Sequence, residues 1–163
     1  MFILKKVYCR IFQKVFRIAL PLLPYREPEI LESIELIPET VVKNGCKKPI
    51  IVTDKGIVNL GLIDSLVEAL KKSEIPFAIY DQTVPNPTTD NVAQAYDLYK
   101  KENCDCLIAF GGGSSMDCAK ALGVQIVYPK KTLGQLKGIL KVHKKLPLLI
   151  AIPTTAGTGS ETT

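Results

Sequence analysis

Four short apolar runs, residues 49–53, 77–80, 105–110 and 146–152, alternate with stretches whose apolar residues recur at every third or fourth position, and the third run passes directly into Gly111-Gly112-Gly113. A parallel strand reaches its neighbour only through a long crossover, usually a helix, and helices then cover both faces of the sheet. Strands of this kind are continuously apolar rather than alternating, as these runs are. The expected fold class is therefore α/β, with a doubly wound, mostly parallel sheet. A chain of 163 residues is long enough for one such domain with a real core and too short for two of ordinary size.

Between the runs, the spacing predicts a helix over 59–73 with Leu60, Ile63, Leu66, Val67 and Leu70 inward. A second helix is expected over 89–101, with Val92, Ala95, Tyr96 and Tyr99 on one side, and a third over 115–124. Residues 81–89 read as a loop, because Pro85 and Pro87 continue neither a ladder nor a helix. Ahead of all this, residues 2–20 carry apolar side chains at helical spacing with Lys5, Lys6, Arg10, Lys14 and Arg17 on the opposite face. This basic amphipathic helix, with the Pro-rich linker up to residue 28, is expected to pack on the protein's own body or a second subunit; peripheral contact with an anionic membrane surface is the other reading. The charges recur too often for a transmembrane span or a signal peptide. The α/β domain is expected over 29–163.

The net charge of +5 is unevenly spread: residues 1–26 hold six basic side chains and no acid, and residues 118–160 hold seven lysines and no acid. A surplus at the two ends, without zinc-finger spacing or an RNP-like aromatic motif, excludes a nucleic-acid binder. The five cysteines are odd in number and scattered, which fits reduced thiols in a cytoplasmic protein. Cys104 and Cys106 alternate along the third strand and are expected on one face of it, as core. The single histidine, His143, rules out a multi-histidine metal site built from this chain.

In a doubly wound sheet, ligands bind beyond the carboxyl ends of the strands. Four features converge there: Asp54, the Asn86-Pro87-Thr88 loop, the glycine triplet with Ser114, and Thr154-Thr155. The triplet stands between strand and helix, where free N–H groups and the helix dipole favour a phosphate; a plain tight turn there needs one glycine and not three. Neither Gly-x-Gly-x-x-Gly nor a P-loop Lys-Ser/Thr is present. Asp54 suits the hydroxyls of an adenosine ribose and repels a 2′-phosphate, or else caps the following helix. Thr154 and Thr155 bring hydroxyls and Gly157 permits a close backbone approach, unless the segment is only a polar turn. Asn86 is either a presented amide or an Asx turn.

Taken together, IVTDKGI, DQTVPNPTTDNV, DCLIAFGGGSSMDCAKA and LLIAIPTTAGTGSETT resemble the nucleotide-binding half of the iron-containing (group III) alcohol dehydrogenases over residues 30–163. The resemblance implies a Rossmann-like, dehydroquinate synthase-like sheet and hydride transfer between a small alcohol or aldehyde and NAD, with NADP less favoured. By the matching motifs, Asp54 sits at the ribose, Asn86 lines the cleft, and Gly112, Gly113, Ser114, Ser115, Met116 and Asp117 hold the pyrophosphate side. Thr154, Thr155, Gly157 and Thr158 close over the adenine and ribose. In the family an aspartate and three histidines of a following helical domain hold a divalent metal, iron or zinc; that domain has no counterpart in this sequence, so the chain alone is expected to be inactive as a dehydrogenase. Three readings stay open: the N-terminal part of a dehydrogenase, a non-catalytic nucleotide-binding or partner-docking module, and a remnant that folds poorly. Self-association as a homo-oligomer is expected from the apolar helix and a bare cleft edge.

Overall fold

The computed structural model describes residues 28–138 and 141–160, together with Arg10, Gln13, Lys14 and Arg17, which are helical and exposed. The rest of the 2–20 segment lies outside the described residues. By its contacts the chain divides into two units, Met1–Ile30 and Leu31–Thr163, and among the described residues every strand belongs to the second.

A 3-10 turn, Ile34–Leu36, leads into α1 (Ile37–Lys43), with Pro38 in its first turn, where a missing N–H costs nothing. The order then runs β1 (Pro49–Val52), α2 (Lys55–Asn59), α3 (Asp64–Lys72), β2 (Ala78–Tyr80), α4 (Thr89–Lys101), β3 (Cys106–Gly111), α5 (Gly113–Val127), a 3-10 turn at Leu133–Leu136, and β4 (Leu149–Pro153). The sheet order is β2-β1-β3-β4 with all pairs parallel. The chain steps outward from β1 to β2, then crosses back over β1 to β3, so the carboxyl ends of β1 and β3 flank the topological switch point. That is where open α/β sheets hold their ligands.

Both faces are covered, as the continuous apolar strands require. On one, Ile50, Val52, Leu107 and Ala109 meet Val92 and Ala95 of α4 and Met116, Ala119 and Leu122 of α5. On the other, Ile51, Ile108 and Phe110 meet Ile37 and Val41 of α1 and Leu66 and Leu70 of α3. β1 and β3 are buried at every position, whereas the edge strand β2 leaves Ile79 exposed.

Three expectations need correction. The helix expected over 59–73 is two helices, because Gly61 adopts φ +68 and ends the first; Leu60 consequently faces solvent at 75% exposure instead of packing inward. Cys104 and Cys106 do not share a face: β3 starts only at Cys106, and the two thiols enter opposite core clusters. The helix expected over 115–124 starts at Gly113 and runs to Val127. Burial pushes the Cys104 thiol up to about 11 and raises Cys118 as well, so both are core thiols rather than nucleophiles.

The N-terminus of α4 carries a reciprocal capping box: the Thr88 hydroxyl accepts the Asn91 N–H, and the Asn91 side chain accepts the Thr88 N–H at 3.1 Å. Asn91 is buried and also donates to the Gln82 carbonyl at 3.0 Å, which ties the loop after β2 to the helix. Thr88→Ala is expected to lower stability by about 1 kcal/mol, read from urea denaturation with an unchanged m-value.

Candidate functional site

At the switch point a cleft of about 690 Å³ opens among the segments that follow all four strands: Asp54 and Lys55, Asp81 to Pro85, Gly112 to Ser115, and Thr154 and Thr155. These segments are stitched together. Thr53 N–H donates to the Tyr80 carbonyl at 2.8 Å, Thr83 N–H to the Thr53 carbonyl at 3.3 Å, and Thr154 N–H to the Gly111 carbonyl at 2.9 Å. Asp54 forms an isolated bridge with Gln82, and Asn86 N–H donates to Ser114 Oγ at 3.3 Å.

Asp54 does two things at once. Its Oδ1 accepts the Ile57 N–H at 3.0 Å and caps α2. Its Oδ2 faces the glycine turn, 3.6 Å from where a Cβ on Gly111 would stand. The cap reading of Asp54 is correct for one oxygen and leaves the other at the cleft.

The glycine triplet owes its composition to close neighbours. Gly111 has φ +144, a region L side chains rarely enter, and an added Cβ would meet Ser115 Oγ at 2.6 Å. A Cβ on Gly112 would lie 3.2 Å from Thr155 Oγ1, and one on Gly113 would lie 3.2 Å from Thr158 Cγ2. The two motifs therefore press on each other, and the threonine segment rests over the start of α5. That helix starts at Gly113 with Gly112 as its N-cap and no side-chain cap, so the cap residue gives its first N–H groups, at the cleft lining, no partner. Ser115 stands in this first turn, 1% exposed, with an Oγ that has no hydrogen-bond partner; the buried hydroxyls of Thr53 and Thr83 are in the same condition. An uncapped start to a 15-residue helix beside an unpartnered buried hydroxyl suits an anion such as a pyrophosphate.

Most of the residues named from the sequence come together here: Asp54, Gly112, Gly113, Ser114, Ser115, Thr154 and Thr155 all line the cleft. Asn86, exposed at φ +55, joins it only through its N–H on Ser114. Met116 does not face the cleft, because its side chain is 1% exposed within the core packed against α4. Asp117 is exposed and lies 4.0 Å from Lys120, one turn along the helix. Thr158 sits over Gly113, and Gly157, at φ +90, is exposed beyond it. Lys55, Asp81, Gln82 and Thr83 also line the cleft; they fall inside IVTDKGI and DQTVPNPTTDNV, where no role was expected of them, and their place just after β1 or β2 is the signal that could have found them. Asp81 also accepts a hydrogen bond from the Gln82 amide. For a metal, the cleft lining offers the carboxylates Asp54 and Asp81 and neither histidine nor thiol. That donor set does not fit the family's histidine-rich metal site.

The family model for iron-containing alcohol dehydrogenases matches residues 31–163. The chain belongs to the iron-containing alcohol dehydrogenase family. It is 43% identical over 127 residues to the choline dehydrogenase of Bacillus subtilis (strain 168), covering 77% of this chain and 32% of that protein. The alcohol dehydrogenase of Oenococcus oeni superposes with a TM-score of 0.73 at 42% identity, over 78% of this chain and 34% of the other. Sulfoacetaldehyde reductase from Bifidobacterium kashiwanohense, crystallised in complex with NAD+, superposes with a TM-score of 0.69 at 31% identity, over 80% of this chain and 34% of the other. The chain thus spans about a third of the length of the relatives it matches. Among the described residues, no helix is long and apolar enough to cross a membrane.

Proposed function

We propose that residues 31–160 are the nucleotide-binding portion of an alcohol dehydrogenase that exchanges hydride between a small alcohol or aldehyde and NAD. The uncapped N-terminus of α5, opening on the cleft beside the unpartnered Ser115 hydroxyl, carries this reading. The N–H groups of Gly113, Ser114 and Ser115 would hold the pyrophosphate, with Gly112 letting Thr155 close in beside them. Asp54 accepts the adenosine ribose hydroxyls through Oδ2, and its charge disfavours the 2′-phosphate of NADP. Thr154 and Thr155 form the opposite wall, Thr158 and Gly157 hold that wall over α5, and Asn86 orients Ser114. When bound, NAD supplies the hydride acceptor for alcohol oxidation and the donor for aldehyde reduction. The residues of this chain bind and orient the nucleotide; the family's metal finds no fitting donor set among the described cleft residues.

Isothermal titration of the chain with NAD+ and with NADP+ tests the proposal. One equivalent of NAD+ is expected to bind, at least about tenfold tighter than NADP+, a difference of about 1.4 kcal/mol. Absence of NAD+ binding by a cooperatively folding chain, or equal affinity for the two, would overturn it.

A further inference from the structure

We propose that Cys46, Asp105 and Cys106 form a binding site for a thiophilic divalent cation of the zinc class, at the amino-terminal edge of the sheet and at the opposite end from the nucleotide cleft. One ligand atom from each residue lies within 4.8 Å of the others. Around a tetrahedral zinc ion, with Zn–S near 2.3 Å and Zn–O near 2.0–2.2 Å, ligand atoms stand about 3.5–3.8 Å apart, so closure needs an inward shift of about 1 Å. Two thiolates and a carboxylate select a zinc-like ion over magnesium or calcium.

The backbone already orients these ligands. Asp105 Oδ2 accepts the Lys47 N–H at 2.7 Å and Oδ1 accepts the Lys48 N–H at 3.0 Å, and the Cys106 thiol is hydrogen-bonded to the Asp105 side chain, a place a metal ion would take when the thiol proton leaves. Asp105 N–H in turn donates to the Lys48 carbonyl at 3.0 Å, and Cys46 N–H donates to the Val41 carbonyl at 3.0 Å. Hydrogen bonds of this kind fix metal ligands in place. Cys106 is fully buried at the start of β3, while Cys46 is half-buried beside a cavity of about 320 Å³ bordered by Gly45, Lys47 and Glu74. That cavity gives the ion an approach and leaves room for a water as fourth ligand. On binding, the cation replaces the two thiol protons, which leave to solvent. The bound ion would join the loop between α1 and β1 to β3. This site shares no residue with the nucleotide cleft and does not depend on the reading given to it.

The test uses the full chain carrying Cys9→Ser, kept reduced with a phosphine, and titrates it with Cd2+ followed by the ultraviolet thiolate-to-cadmium charge-transfer band, then with Zn2+ against a chromophoric chelator. One equivalent is expected, with Cys46→Ser weakening binding at least tenfold and losing about half the band. Asp105→Asn should weaken binding while keeping the band, and Cys104→Ala should leave both unchanged. Circular dichroism checks the fold of each variant, and the half-buried Cys46 is the substitution least able to disturb it. No charge-transfer band in the Cys9→Ser chain, or binding left unchanged by Cys46→Ser and by Asp105→Asn, would overturn the proposal.

Discussion

Gly111→Ala is expected to destabilise the protein by about 2–6 kcal/mol and to weaken NAD+ binding at least tenfold. Two costs combine. The backbone at φ +144 is strained for any residue with a Cβ, worth about 1–3 kcal/mol. The new methyl group would then stand 2.6 Å from Ser115 Oγ and 3.0 Å from Ser115 Cβ, which adds an overpacking cost of about 1–3 kcal/mol. Relief comes only if the first turn of α5 shifts, and that turn is the proposed pyrophosphate site, so stability and binding should fall together. Gly134→Ala is the control: its nearest neighbour to an added Cβ is Thr132 Oγ1 at 3.9 Å, and its effect should stay within about 0.5 kcal/mol. Urea denaturation of both variants decides the matter. Equal midpoints would mean that the turn at Gly111 relaxes freely and that the cradle is not rigid.

The elements that define the fold were legible because two periodicities do not overlap. Runs such as 105–110 are too short and too continuously apolar for an amphipathic helix, and Pro85 and Pro87 excluded the segment between β2 and α4 from either ladder. Periodicity failed at Gly61. Leu60, Ile63, Val67 and Leu70 fit a single helical stripe, yet Gly61 takes a left-handed conformation that only its lack of a Cβ makes easy, and the stripe is cut after its first member. Likewise, Cys104 and Cys106 are two residues apart, but the two-residue rule holds only within a strand and β3 begins at the second of them.

The candidate site was legible as motifs and less so as geometry. A motif is a run of consecutive residues, whereas a helix turns each successive side chain by about 100°, so no run can face one ligand throughout. Gly113, Ser114 and Ser115 open on the cleft, Met116 turns into the core, and Asp117 turns to solvent beside Lys120. The residues missed, Lys55 and Asp81 to Thr83, fall inside IVTDKGI and DQTVPNPTTDNV, but only the β2-β1-β3-β4 strand order shows that they share one cleft. That order rests on long-range pairings, such as Ile50 with Leu107, that no local pattern encodes.

Asp54 offers the sharpest separation of structure from function, because one of its oxygens caps α2 and the other faces the glycine turn. Asp54→Ala removes the cap on the Ile57 N–H, lowering stability by about 1 kcal/mol, and removes the charge facing the glycine turn. Losing a charged acceptor for the ribose hydroxyls should cost about 1.5–3 kcal/mol of binding, or about 10–150-fold in NAD+ affinity. Asp54→Asn isolates the second effect. Asparagine caps helices as well as aspartate does, so stability should stay within about 0.5 kcal/mol of the parent. The charge is gone, however, so NAD+ affinity should still fall while NADP+ affinity rises, since the 2′-phosphate no longer meets an anion. Thermal or urea denaturation reads the first quantity and isothermal titration reads the second. If Asp54→Asn bound both nucleotides as the parent does, Asp54 would be a helix cap alone, and the preference for NAD would have to come from another wall of the cleft.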